Sequence, residues 1–236
     1  MTSILSTGAL WAGGGGGLTT ATGSFQNRAG NSVRYDSPSY SGFNGSVEYD
    51  TRESANHAGI ISIGGAYANG PLQLGTAYTR NRKVRGVDFD DSAFSATAAY
   101  KFDIVRIAGV YEHPDYEVAS GDLKRDFWGI SGTMSAGPGQ LYLFYGDAAK
   151  GKGSVCDITT TGCTARIGGL AKGDQTDSQQ YEISYTTALS KRTLAYVGYI
   201  KINNSRNAAY TFDINPYAIA PGAKPAGLVA GMAHFF

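Results

Sequence analysis

The chain closes with Gly227-Leu-Val-Ala-Gly-Met-Ala-His-Phe-Phe236. At a period of two, Leu228, Ala230, Met232, His234 and Phe236 share one face, and Val229, Gly231, Ala233 and Phe235 share the other. An aromatic terminus after an alternating run is out of keeping with a soluble domain, whose ends fray into water. It fits a last strand sealed into a membrane barrel, with its final ring at the bilayer interface. The same residues could form the edge strand of a soluble β-sandwich, so the rest of the chain has to decide.

The same alternation recurs upstream. Phe43, Gly45, Val47 and Tyr49 oppose Asn44, Ser46, Glu48 and Asp50. The second set is too polar to pack on another sheet, and the first is too apolar for water. A sheet with one lipid face and one aqueous face satisfies both. Ile61, Ile63, Gly65 and Tyr67 behave alike, and Asn69-Gly70-Pro71 turns them into Leu72, Leu74, Thr76 and Tyr78. Phe94 to Tyr100, Val105 to Tyr111, Trp128 to Met134, Leu141 to Tyr145, Tyr181 to Tyr185 and Leu194 to Ile200 continue the theme. About eleven strands result, beginning at Asn31–Tyr35. Short turns near Pro71, Asp103, Pro138 and Lys191 alternate with long connections over 80–92, 113–126, 147–179 and 202–226. Aromatic residues recur near strand ends, as an interfacial girdle requires. These regularities predict an all-β, antiparallel transmembrane β-barrel.

Composition agrees. Of 236 residues, 16 are Tyr and 33 are Gly, and only 17% are charged. Mean hydropathy is −0.21, a value compatible with a barrel in which only alternate residues meet lipid. No run approaches a transmembrane helix. Net charge is +1, and the cluster Arg80, Arg82, Lys83 and Arg85 is followed by Asp88, Asp90 and Asp91, so a nucleic-acid partner is not expected. Met1–Trp11 has no basic leader segment, so no signal peptide is expected in this sequence. Cys156 and Cys163 flank a polar loop without His; a local disulfide is expected, and no metal or cofactor.

Three segments carry a family resemblance. Arg28-Ala-Gly-Asn-Ser-Val-Arg-Tyr-Asp-Ser-Pro38, followed by Ser41-Gly-Phe-Asn-Gly45, resembles the mid-barrel strand and turn of general porins from Gram-negative, especially β-proteobacterial, outer membranes. Leu189-Ser-Lys-Arg-Thr193 resembles the periplasmic turn before that family's penultimate strand. Gly231-Met-Ala-His-Phe-Phe236 resembles its C-terminal strand, with His234 and Phe236 as the assembly signal. The resemblance runs from about residue 25 to 236. It implies a sixteen-stranded barrel, usually trimeric, with one external loop folded into the pore. On that template the strands seen here are the sixth to the sixteenth, and the earlier strands are missing. Residues 1–27 become the Gly-rich end of the constricting loop and 28–236 the barrel.

The implied function is passive diffusion of small hydrophilic solutes and ions through a water-filled bore of the cell outer membrane. The expected partners are membrane lipid, two further copies of the chain and the barrel-assembly machinery. No catalytic group is required; charged side chains tune passage. Alternation puts Arg34, Glu48, Asp50, Arg106, Glu112, Glu182 and Lys201 on the pore side, and Arg28 joins Arg34 by the resemblance. Two alternatives stand beside this reading. One is an outer-membrane barrel enzyme, for which His113 with Asp115 is the pair to test. The other is a soluble β-sandwich binding module.

Overall fold

The computed structural model describes residues 25, 31–51, 59–83, 88–212 and 219–236. Eleven strands form one continuous antiparallel path: β1 (Ser32–Asp36), β2 (Phe43–Thr51), β3 (Gly59–Asn69), β4 (Leu72–Arg82), β5 (Asp91–Phe102), β6 (Val105–Val118), β8 (Phe127–Ala136), β9 (Gly139–Ala148), β13 (Ser178–Ser190), β14 (Thr193–Asn204) and β15 (Ala226–His234). Two short strands, β7 (Gly121–Lys124) and β10 (Lys152–Gly153), extend the sheet beyond the top of β6. β11 (Arg166–Ile167) and β12 (Leu170–Ala171) form a separate small hairpin. No second sheet covers the large one among the described residues, which removes the sandwich alternative. β1 pairs only with β2 and β15 only with β14 among the described residues, so the barrel wall is open there.

One end of the wall is made of two-residue turns. Asn69 pairs with Leu72, Phe102 with Val105, Ala136 with Gly139 and Ser190 with Thr193. Neighbouring hairpins are stitched there, Lys101 N–H donating to the Pro71 carbonyl at 3.0 Å. Gly42 adopts φ +87°, and a Cβ on it would lie 2.5 Å from the Ala68 carbonyl oxygen. Only glycine lets the turn after β1 lie this close to β3.

The register confirms two faces. Tyr49, Ile63, Tyr78, Phe94, Tyr111, Trp128, Ile130, Leu143, Tyr181, Ile183, Val197 and Tyr199 are exposed large side chains on a single surface. Their rings gather into two belts. Phe94–Tyr111, Trp128–Tyr145 and Tyr145–Tyr181 pair towards the long-loop end, with Trp128 and Tyr145 centroids 5.4 Å apart. Phe43–Tyr67 and Tyr100–Phe102 pair at the turn end, at 4.3 and 4.5 Å. Two aromatic girdles around an aliphatic band are what the two interfaces of a bilayer select.

Beyond the upper belt, the long connections fold inward. Val155, Ile167, Leu170, Ala208 and Tyr210 pack against Phe127, Tyr142, Phe144, Ala148 and Ile202 of the inner face. Phe25 joins this cap, its ring 5.7 Å from that of Tyr116. One buried amide ties two of its segments together. Asn204 donates to the carbonyls of Tyr210 and Ala223, both at 2.8 Å, and accepts from Tyr210 N–H at 3.1 Å. Cys156 and Cys163 form a disulfide within the cap's polar loop, with Cα atoms 5.9 Å apart.

Two expectations change. The stretch 113–126 is expected as a long connection, yet β6 continues to Val118 and turns back as β7. Pro114 is tolerated because it sits near the end of the β5–β6 ladder, where few pairing bonds remain. The short strands β10, β11 and β12 lie inside the connection 147–179.

The extension has its own polar lock. Asp122 accepts from Ser154 N–H at 2.8 Å and from the Ser154 hydroxyl, and Lys124 Nζ lies 2.6 Å from its other oxygen. Lys124 first, and then Ser154, hold the Asp122 carboxyl well below the usual carboxylate range. A carboxyl whose value is depressed on folding contributes its stability above the unfolded value, near ~4, and loses it as pH falls through the depressed value. Hydrogen exchange at Ser154, corrected for intrinsic rate, should therefore be level from about pH 7 to 5 and rise only at strongly acid pH. Asp122→Asn should raise it at about pH 6; equal protection in both proteins would remove Asp122 from this role.

Candidate functional site: the inner wall

Because side chains alternate across a strand, fixing the outer stripe fixes the inner one. Arg34, Glu48, Asp50, Arg106, Glu112 and Glu182 all fall on the inner face. They divide into two groups. Asp50, Glu112 and Glu182 are buried and partnered, so they belong to the wall's structure more than to its surface. Arg34, Glu48 and Arg106 stand at the surface. The Arg34 guanidinium lies 2.8 Å from Asp36 and 3.6 Å from Glu48. Around this triad the wall is lined by Asn44, Ser46, Ser62, Ser95 and Thr97, with the Ser62 and Thr79 hydroxyls 3.0 Å apart. Such a surface is polar, carries both signs of charge, and offers donors and acceptors.

Lys201 is a correction. It pairs with Tyr181 in the outer stripe and lies one pleat beyond Tyr199, on the outer face. The expectation fails because β14 is apolar on both faces. Val197 and Tyr199 point outward, while Ile200 and Ile202 are buried on the inner side, Ile202 beneath the cap. Arg28 lies outside the described residues, as does nearly all of the segment 1–27.

His113 does not meet Asp115 as a pair. Its Nδ1 is 2.8 Å from Asp126 Oδ1, which also accepts from the Tyr111 hydroxyl at 2.7 Å, while Asp115 faces Lys124 at 3.6 Å. His113 shares the outer stripe with Phe94 and Tyr111, turned away from the inner face. The Asp126 carboxyl is lowered by Tyr111 first and then His113, a structural arrangement at the rim above the belt. Among the described residues no cluster of three potential metal ligands occurs. His234 Nδ1 lies 2.9 Å from the Thr193 hydroxyl, and its ring is 4.9 Å from that of Phe236.

Alternation puts Lys101 on the inner face with Thr97 and Ala99, although the expected pore set omits it. Gln73, Tyr142 and Phe144 also line the inner surface; a long aromatic residue on a polar face is the available signal for the last two.

The chain is similar to known proteins over most of its length. A family model described as Gram-negative porin matches residues 2–207. An outer membrane porin protein of Bordetella pertussis is 25% identical over 229 residues, covering 82% of this chain and 56% of that protein. Outer membrane porin protein 32 of Delftia acidovorans is 25% identical over 222 residues, covering 89% and 57%. The chain thus spans somewhat more than half the length of these curated relatives. Among solved structures, the outer membrane protein OmpT of Vibrio cholerae superposes with a TM-score of 0.66 at 15% identity, over 86% of this chain and 64% of that one. A porin refined at 1.8 Å superposes with a TM-score of 0.60 at 14% identity, over 91% and 65%. The structural likeness supports the barrel fold, and the family match covers far more than half of the chain. The chain belongs to the Gram-negative porin family, and its place is the cell outer membrane.

Proposed function

We propose that the chain supplies the wall of a water-filled channel for passive diffusion of small hydrophilic solutes and ions, and that it does no catalysis. The observation that carries this is the two-sided sheet: girdled and aliphatic outside, charged and hydroxyl-lined inside. A sheet of that kind holds lipid off water while exchanging hydration contacts with passing solutes. Arg34 with Asp36 and Glu48 forms a fixed transverse charge pattern on the wall, and we place solute discrimination there, with Arg28 as an added cation. Symmetric assembly into a homotrimer and recognition of His234 and Phe236 by the barrel-assembly machinery belong to the same reading.

The experiment is conductance. Folded protein from outer membranes, added to a planar bilayer in potassium chloride, should produce unitary current steps, and its mass by light scattering should be three times that of one chain. Folded protein that inserts without steps would overturn the channel reading. Steps from a monomer would overturn the trimer alone.

A further inference from the structure

At the turn end of the inner wall, two cations stand side by side without neutralisation. Lys101 and Arg106 face each other directly across β5 and β6. Neither forms an ion pair among the described residues. Arg106 Nη2 donates to Gln73 Oε1 at 2.9 Å, a neutral partner that orients the guanidinium without cancelling its charge. Like charges directly opposite in a sheet cost stability, so this pair does not serve the fold.

Arg106 borders a groove of about 580 Å³ in the inner wall, within the size range of small-molecule sites. Its floor is built of small residues, Thr97, Ala99, Ala108 and Ser131, which follow one another across β5, β6 and β8, and Tyr142 and Phe144 of β9 close the far side. One side thus offers a forked donor with uncompensated charge, the geometry that pairs with a carboxylate. The other offers the parts of Tyr142 and Phe144 that the cap leaves uncovered, and the floor between leaves room for an apolar body.

We propose that this groove binds a small organic monocarboxylate with a ring-sized apolar body. The carboxylate pairs with Arg106 in the field of Lys101, and the body lies on the floor of Ala99, Ala108 and Ser131 against Tyr142 and Phe144. The transport consequence, faster passage of such anions than of neutral solutes of equal size, rests on the channel reading. Binding itself does not.

Binding is therefore measured on folded protein in detergent. By equilibrium dialysis, benzoate should bind at least about tenfold more tightly than benzamide, which lacks the charge, and acetate, which lacks the ring. Arg106→Gln should abolish the preference for benzoate over benzamide. Ala108→Leu fills the floor without touching either cation and should weaken benzoate while leaving acetate unchanged. Crystals soaked in 4-bromobenzoate should show bromine beside Phe144. Benzoate binding that neither substitution alters, or bromine found elsewhere, would overturn the proposal. Binding without bilayer current would leave the groove standing and overturn the channel reading; current without binding would do the reverse.

Discussion

Ala98→Arg should prevent stable insertion, whereas Thr97→Arg, one residue earlier, should leave the fold intact. Ala98 sits on the outer face between Phe94 and Tyr100, opposite Leu74 and Gly109. Those two aromatic residues belong to opposite belts, so Ala98 lies near the middle of the lipid band. An arginine on the lipid face near the midplane costs about 2–4 kcal/mol, because its charge has neither water nor a partner. Thr97 points the other way, into the polar lining beside Ser95, where a guanidinium stays hydrated. The check is denaturant unfolding of both variants in vesicles. Ala98→Arg should lose most of its assembled fraction. Thr97→Arg should unfold like the parent and differ only in passage through the bore. If both variants unfold alike, the assignment of faces in β5 is wrong, and with it the register-derived lumen.

How much of this is legible in the sequence depends on a single physical condition. Where one face meets lipid and the other meets water, alternation names both faces, and β2 to β6 match their sequence pattern from Phe43 to Tyr111. The inward placement of Arg34, Glu48 and Arg106 follows without further information. The condition fails where a loop replaces water on the inner side. In β14, Ile200 and Ile202 are as apolar as Val197 and Tyr199, but they bury against the chain itself and not in lipid. Local sequence cannot distinguish those two destinations, so the phase inverts and Lys201 is assigned to the wrong face. The burial of Asp50, Glu112 and Glu182 is hidden for a related reason. A charge on the polar face looks solvated until the segments folding over it are known. His113 illustrates a third limit: Asp115 is its neighbour in sequence, but Asp126 reaches it only because β6 turns back through β7 and delivers that residue to the same rim.

Leu170→Ala should open the cap while leaving the wall closed to exchange. Leu170 has no exposed surface and packs with Tyr210, Phe127 and Ile202, so the cap's core is the contact between loop and inner wall. Truncating a fully buried leucine costs about 2–5 kcal/mol. Its neighbour Gly169 approaches Tyr210 so closely that a Cβ would lie 2.6 Å from the ring and 2.7 Å from the Tyr210 Cα. The backbone therefore cannot slide inward to refill the void. Beside the apolar cluster and the internal disulfide, the ties are individually modest hydrogen bonds, such as Arg166 to the Asn207 carbonyl at 2.8 Å. The wall strands, by contrast, are held by long ladders, β13 against β9 without a break and β13 against β14 irregular only between Ala188 and Ser190. Hydrogen exchange and limited proteolysis should thus speed up across 149–177 and 205–212 alone. In the bilayer, the same variant should conduct more, because the cap leans over the inner face at the mouth. Exchange that rises equally in β9, β13 and β14 would mean that cap and wall unfold as one unit. A faster cap with unchanged current would mean that it covers a part of the mouth through which ions do not pass.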